Sequence, residues 1–237
     1  MTMSSRIVTP IIRIILSLIC RIDAAEMRRI PRKGPLIVVM NHVNFLEVPL
    51  IYAFLYPRRI RGLVKRETWN NPLLGALADS WEAIAIDRTG SDLSAMRRAL
   101  DVLAGGGLLL VAPEGTRSGH GRLQQGHGGV VQLALKSGAP IIPVVHTGGE
   151  HFWRNFKSWR RTRFTVRVGP VFRLVPPGAD DVAATGVAHN VTHTVSRSVR
   201  AEMTDAVMNR LSLLLPERQR GVYPNPESAP MRVIRLV

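Results

Sequence analysis

The chain has 237 residues, enough for one large domain with a substantial core rather than two independent ones. A formal charge of +15, from 32 Lys and Arg against 17 Asp and Glu, calls for anionic company: an acidic membrane surface, phosphorylated substrates or nucleic acid. A single cysteine excludes an intrachain disulfide framework and any multi-cysteine metal site and fits a reducing, cytosol-facing home, while the lack of repeats or low-complexity tracts excludes solenoids and prion-like tails.

Residues 7–22 are almost all apolar, and the exceptions Thr9, Arg13, Ser17 and Arg21 recur every fourth residue, a narrow polar stripe on a helix. The pattern predicts an N-terminal helix, within residues 1–30, that lies in a membrane interface. It is shorter than the ~20 uninterrupted apolar residues of a span, and Arg13 interrupts it. A signal sequence, for which "LSLIC" is a weak match, and an ordinary core helix are the alternatives.

After the basic connector "RRIPRKGP", short apolar runs alternate with helical patterns over residues 31–215. This rhythm predicts an α/β domain with a mixed, mostly parallel sheet flanked by helices. Strands are expected at 36–40, 60–64, 83–86, 107–112, 141–145 and 164–168, and helices at 46–55, 71–80, 92–104, 128–137 and 187–215. In the 92–104 helix Leu93, Met96, Ala99, Leu100 and Leu103 share one face, and "AGGG" then stops it. The C-terminal tail, residues 216–237, carries no readable signal.

Three polar clusters follow expected strands: His42 and Glu47 after "LIVVM", Asp87 and Arg88 after "AIAI", and Glu114, Thr116 and Arg117 after "LLLVAP". If the strands are parallel, these clusters gather at their carboxyl ends, where open α/β sheets bind ligands. Histidine supplies a base near neutral pH, a carboxylate on its other ring nitrogen fixes the tautomer, and arginines suit a phosphate. Five residues along a helix rotate by about 140°, so His42 and Glu47 can meet only if His42 lies in the turn and Glu47 opens the helix. Taken alone, His42 reads equally as a capping or core histidine, and Arg88 and Arg117 as partners of Asp87 and Glu114 in surface salt bridges.

"NHVNFLE", "AIAIDR", "APEGTRS" and "APIIPV" together resemble the four blocks of the glycerolipid acyltransferases, typified by bacterial 1-acylglycerol-3-phosphate acyltransferase, across roughly residues 31–170. The resemblance implies transfer of a fatty acyl group from a coenzyme A or acyl carrier protein thioester to the hydroxyl of a lysophospholipid, ordinarily lysophosphatidic acid. It implies that His42 deprotonates the acceptor and that Glu47 holds it. Arg88 and Arg117 would grip the phosphate, Glu114, Gly115 and Thr116 would build the loop around it, Pro143 would sit beside the acyl chain, and Lys65 would be a further basic contact. No metal or other cofactor is implied. The family's first block ends in aspartate, whereas this chain has Glu47, one methylene longer.

Other classes fit less well. "QGHGGV" is similar to an esterase oxyanion loop, yet the chain has no G-x-S-x-G elbow; it also has no G-x-x-x-x-G-K-[ST] nucleotide loop. His120 and His127 flank glycine-rich sequence without a third ligand, which makes a poor metal site. A non-enzymatic basic module is the competing reading, resting on "HFWRNFKSWRRTR", where Trp153, Phe156 and Trp159 recur among basic side chains. That stretch suits nucleic acid or a membrane interface, and the apolar N-terminal helix favours the membrane, at its cytoplasmic face, with no nucleic acid expected.

Overall fold

A computed structural model describes residues 2–87, 92–177, 195–228 and 231–237. Its strands are β1 (Cys20–Asp23), β2 (Leu36–Met40), β3 (Ile60–Lys65), β4 (Ile84–Ile86), β5 (Leu108–Val111), β6 (Ile141–Thr147), β7 (Thr162–Val168), β8 (Phe172–Leu174) and β9 (Ile234–Leu236). The helices are α1 (Met3–Ile19), α2 (Glu47–Leu55), α3 (Pro72–Ser80), α4 (Leu93–Ala104), α5 (Gly129–Ser137), α6 (Phe152–Lys157) and α7 (Arg197–Ser212). One sheet runs β1-β7-β6-β2-β5-β3-β4, with β8 on β6 and β9 on β8. β6, β2, β5, β3 and β4 are mutually parallel, so their carboxyl ends share one edge; β7 runs antiparallel to β6. The mixed, mostly parallel α/β architecture expected from the sequence is therefore the one observed.

The central strands read as continuous apolar runs because helices cover both faces. In β2, Ile37 and Val39 enter the core beneath α4, α5 and α7, while Leu36, Val38 and Met40 enter the one beneath α1 and α2. α4 starts at Asp92, whose carboxylate accepts from Ala95 N at 2.9 Å, and buries Ala95, Ala99, Val102 and Leu103.

At both ends of the chain the structure differs from the expected elements. The helical period of the N-terminus carries on through residue 22, but α1 stops at Ile19 and the chain becomes β1, paired with β7 from Cys20 opposite Thr162. Tertiary pairing overrides the local pattern there. Arg161 reinforces the junction by donating to the carbonyls of Ser17 and Cys20. Of the long helix expected at 187–215, α7 occupies only Arg197–Ser212: Ser196 caps its start in a non-helical conformation, and residues 178–194 lie outside the described set. The unreadable tail closes the sheet through β9 and buries Gln219 and Tyr223.

α1 packs Leu16 into the core and also shows an apolar face to solvent. Of its polar stripe Thr9 is buried and accepts from Trp81 Nε1 at 3.0 Å, while Arg13 and Ser17 are exposed, Arg13 lying over the Phe54 ring at 4.9 Å. Ile7, Ile14 and Leu18 face solvent at 62%, 60% and 69% exposure. Among the described residues no helix is long and apolar enough to cross a membrane.

Candidate active site

β2 ends at Met40, the chain turns through Asn41–Asn44, and α2 begins at Glu47. His42 thus lies in the turn and Glu47 at the first helical position, the one arrangement in which the pair can meet. His42 Nδ1 donates to Glu47 Oε1 at 2.5 Å. Oε1 also accepts from Val43 N at 3.0 Å, and Oε2 from Asn44 N at 2.9 Å. Glu47 is fully buried, so backbone amides and an imidazole replace its lost water. With the Glu47 carboxylate on Nδ1, Nε2 is left as the acceptor.

Glu114 supports the same turn from the adjacent strand. Its carboxylate accepts from His42 N at 2.7 Å and from Gln124 N at 2.8 Å, and burial holds its pKa above the usual carboxylate value. Its carboxylate braces backbone and is not paired with Arg117. The loop runs alongside the His42 turn: Ser118 N donates to His42 O at 2.8 Å and Gly119 N to Val43 O at 3.0 Å. This places Arg117 one residue from a direct backbone bond to His42. Arg117 and Thr116 are exposed, and among the described residues Arg117 has no hydrogen-bond or ion-pair partner. Gly115 has φ +68°, and a Cβ there would stand 3.0 Å from His127 Cδ2, so the turn admits only glycine without strain.

Lys65 closes β3 on the same edge, exposed and paired in register with Ile86. Arg88, two residues past β4, lies outside the described residues. Pro143 lies in the sheet. It sits inside β6 opposite Val39, buried against Gly169, and a cavity of about 210 Å³ beside the loop does not include it. That cavity is walled by Leu63, Ile86, Met96, Val111 and Leu133, with Gly115 and His127 also on its surface.

Sequence reasoning missed the residues beneath the pair. His146, on β6, has its Nε2 3.6 Å from Glu47 Oε2, and burial pushes its pKa down. Neither ring nitrogen of His146 has a hydrogen-bond partner. Asn41 and His146 tie β2 to β6 reciprocally, Asn41 Nδ2 donating to His146 O at 3.0 Å and His146 N to Asn41 Oδ1 at 2.9 Å. Asn44 Nδ2 donates to Gly149 O at 2.7 Å. From the tail, Gln219 O accepts from Leu123 N at 3.0 Å and the Tyr223 hydroxyl from Gly126 N at 3.1 Å, fixing the glycine-rich loop. "PVVHTGG" reads as plain strand, and nothing local marks its histidine. Among the described residues no group of three or more His, Cys, Asp or Glu could hold a metal.

Comparison with known proteins agrees with this geometry. The family described as Acyltransferase matches residues 21–147. A 1-acyl-sn-glycerol-3-phosphate acyltransferase of Limnanthes alba is 35% identical over 145 residues, covering 60% of this chain and 49% of that protein. One from Pseudomonas aeruginosa is 27% identical over 211 residues, covering 87% and 75%. The crystal structure of the 1-acyl-sn-glycerophosphate (LPA) acyltransferase from Thermotoga maritima shares the fold, with a TM-score of 0.55 at 23% identity over 70% of this chain and 69% of that one. The chain spans about half the length of the Limnanthes relatives it matches. A histidine held by a buried carboxylate at the carboxyl edge of a mostly parallel sheet, together with the family match over more than half its length, establishes that this chain belongs to the Acyltransferase family.

Proposed function

We propose that the protein transfers a fatty acyl group from a coenzyme A or acyl carrier protein thioester to the free hydroxyl of a lysophospholipid, most simply 1-acylglycerol-3-phosphate, giving phosphatidic acid. The observation that carries this reading is the proximity in the chain fold of an oriented base and a cation: Ser118 N bonds His42 O, so the backbone of Arg117, which has no partner among the described residues, adjoins the turn that holds a base oriented by Glu47. His42 Nε2 takes the hydroxyl proton as the oxygen attacks the thioester carbonyl. The C–S bond then breaks, and the thiolate leaves with the proton from the imidazolium. Glu47 stabilises that imidazolium without itself taking a proton. The reading calls for no metal or other cofactor, because a thiolate leaves readily and the proton has a named acceptor.

Arg117 and Lys65, both exposed on the carboxyl edge, would hold the acceptor phosphate, and Arg88 belongs with them by sequence. The cavity of about 210 Å³ beside Gly115 would take part of an acyl chain, its walls being mostly aliphatic. An anionic membrane surface is the proposed partner. The outward isoleucines of α1 support it, as do Trp153, Phe156 and Trp159 of the α6 region, exposed at 55%, 52% and 99%. The rings of Phe45, Phe152, Trp153 and Phe156 pack on one another rather than standing apart as platforms for bases, which disfavours the nucleic-acid alternative. A cytoplasmic-face location follows from the basic surface and the donors proposed.

The test is incubation of purified protein with oleoyl-CoA or oleoyl-carrier protein and 1-oleoyl-lysophosphatidate, with phosphatidate read by mass spectrometry. Phosphatidate formed by the wild type and not by His42→Ala is the expected result. Equal product from both proteins removes His42 from the chemistry, and product with other lysophospholipids alone moves the acceptor assignment.

A further inference from the structure

A further concavity lies away from the candidate active site. A cleft of about 680 Å³ is lined by Arg13, Arg28, Arg32 and Arg58 and by apolar groups that include Met27 and Phe54. Arg32 shortly precedes β2, and Arg58 shortly precedes β3. His42 follows the end of β2. The cleft therefore occupies the amino edge of the parallel strands, the length of a five-residue strand, roughly 17 Å, from the base.

Its charges are poorly balanced. The acid on its wall, Asp23, is already engaged by Arg167 at 3.4 Å. Arg28 and Arg32 are exposed, and among the described residues neither has a hydrogen-bond or ion-pair partner. Arg58 spends one nitrogen on Gly34 O at 2.7 Å, while its Nη1 is buried without a partner and burial pushes its pKa down. A buried guanidinium nitrogen without an acceptor is costly, and an anion would remove that cost. Arg13 brings the cleft to the surface of α1, on which Ile11, Ile14 and Ile15 are 49%, 60% and 48% exposed.

We infer that this cleft is a second, non-catalytic site for an anionic glycerophospholipid, its arginines on the phosphate and Met27 and Phe54 against the first part of a chain. The inference rests on the proposed docking of α1 at a membrane. Concave shape with aliphatic walls suits a single amphiphile better than the broad acidic face of a carrier protein. A carrier docked here would also leave its thioester a full strand's length from His42. Occupancy of the cleft would fix how α1 and the sheet sit on an acidic leaflet, and it would leave the chemistry itself untouched.

The test uses the full chain and calorimetric titration with dihexanoyl phosphatidylglycerol below its micelle concentration, with dihexanoyl phosphatidylcholine and inorganic phosphate as the other arms. Arg28→Gln/Arg32→Gln is compared with Lys136→Gln/Arg197→Gln, which removes the same charge from exposed positions on α5 and α7. The expected result is saturable binding of the phosphatidylglycerol, weakened about tenfold or more in the cleft variant and unchanged in the control. Transfer to soluble lysophosphatidate should be the same in both variants. Equal weakening in both variants reduces the effect to net charge, and equal affinity for the zwitterionic lipid or for free phosphate makes the site something else; each overturns the inference. Vesicle flotation of Ile14→Asp/Ile15→Asp tests the docking reading separately, since soluble-lipid binding does not require a bilayer.

Discussion

Two groups of polar side chains share the carboxyl edge of the sheet, and they are held in opposite ways. The group proposed to handle the proton is cross-braced: Glu47 is fully enclosed, its oxygens take the imidazole and two backbone amides, and Glu114 pins the His42 amide from the next strand. The group proposed to hold the anion is exposed, Arg117 and Lys65 ending in solvent. A base must be oriented before substrate arrives, because its direction and tautomer set the reaction. A guanidinium loses little by waiting in water and gains its partner with the substrate. Disturbing the first group should therefore change turnover and stability together, and disturbing the second should change substrate binding alone.

The largest effect is expected at Glu47. Glu47→Gln should lower kcat by about 10²-fold and also lower Tm, because the new amide cannot accept everywhere the carboxylate does. Loss of stability with normal turnover would show that Glu47 supports the fold and not the base. Glu47→Asp, which retains charge, is a finer probe. Retraction by about 1.5 Å, a bond length, would pull the carboxylate from at least one amide, so a fall of about tenfold in kcat is expected rather than the near-neutral effect that charge alone suggests.

Arg117→Gln should raise KM for lysophosphatidate about tenfold, leaving Tm and the rate on a phosphate-free alcohol acceptor unchanged. A matching loss on both acceptors would place Arg117 with the braced group. Gly115→Ala belongs with that group despite lying next to the exposed residues: at φ +68° and 3.0 Å from His127, a methyl group should cost about 1–2 kcal/mol in denaturant unfolding.

The smallest effect concerns pH. The folded pKa of His146 lies below its ordinary 6.5 because burial disfavours the cation. Between that value and 6.5 the unfolded chain binds more protons, so stability falls as pH drops through this window. Glu114 acts in the opposite sense: its folded pKa is raised above 4.5, so its burial weighs against folding more as pH rises through that value. In denaturant titrations His146→Leu should lose less stability on acidification below pH 6.5 than the wild type does. An unchanged slope would mean that His146 is not the group titrating there.

Much of this was legible in the sequence where local pattern and final contact coincide. "LIVVM" reads as a strand buried on both faces and is one; the spacing of His42 and Glu47 allows a meeting only across a turn into a helix, which is what α2 provides. Glu114 and Gly115 come from a block whose loop role is intrinsic to its backbone. The remainder depends on partners distant in the chain. Cys20 continues a helical period yet becomes strand because Thr162 is there to pair with it. His146 acquires meaning only from Glu47, ninety-nine positions earlier. Tail residues such as Tyr223 became informative once the glycine-rich loop was seen to donate to them.

The most direct test of the central claim is a double-mutant cycle on acyl transfer to lysophosphatidate, using His42→Ala, Glu47→Gln and the two combined. If Glu47 works through His42, the combined variant should be no slower than His42→Ala alone. Losses that multiply across the two positions would show that the carboxylate and the imidazole act independently, contradicting the proposed oriented base.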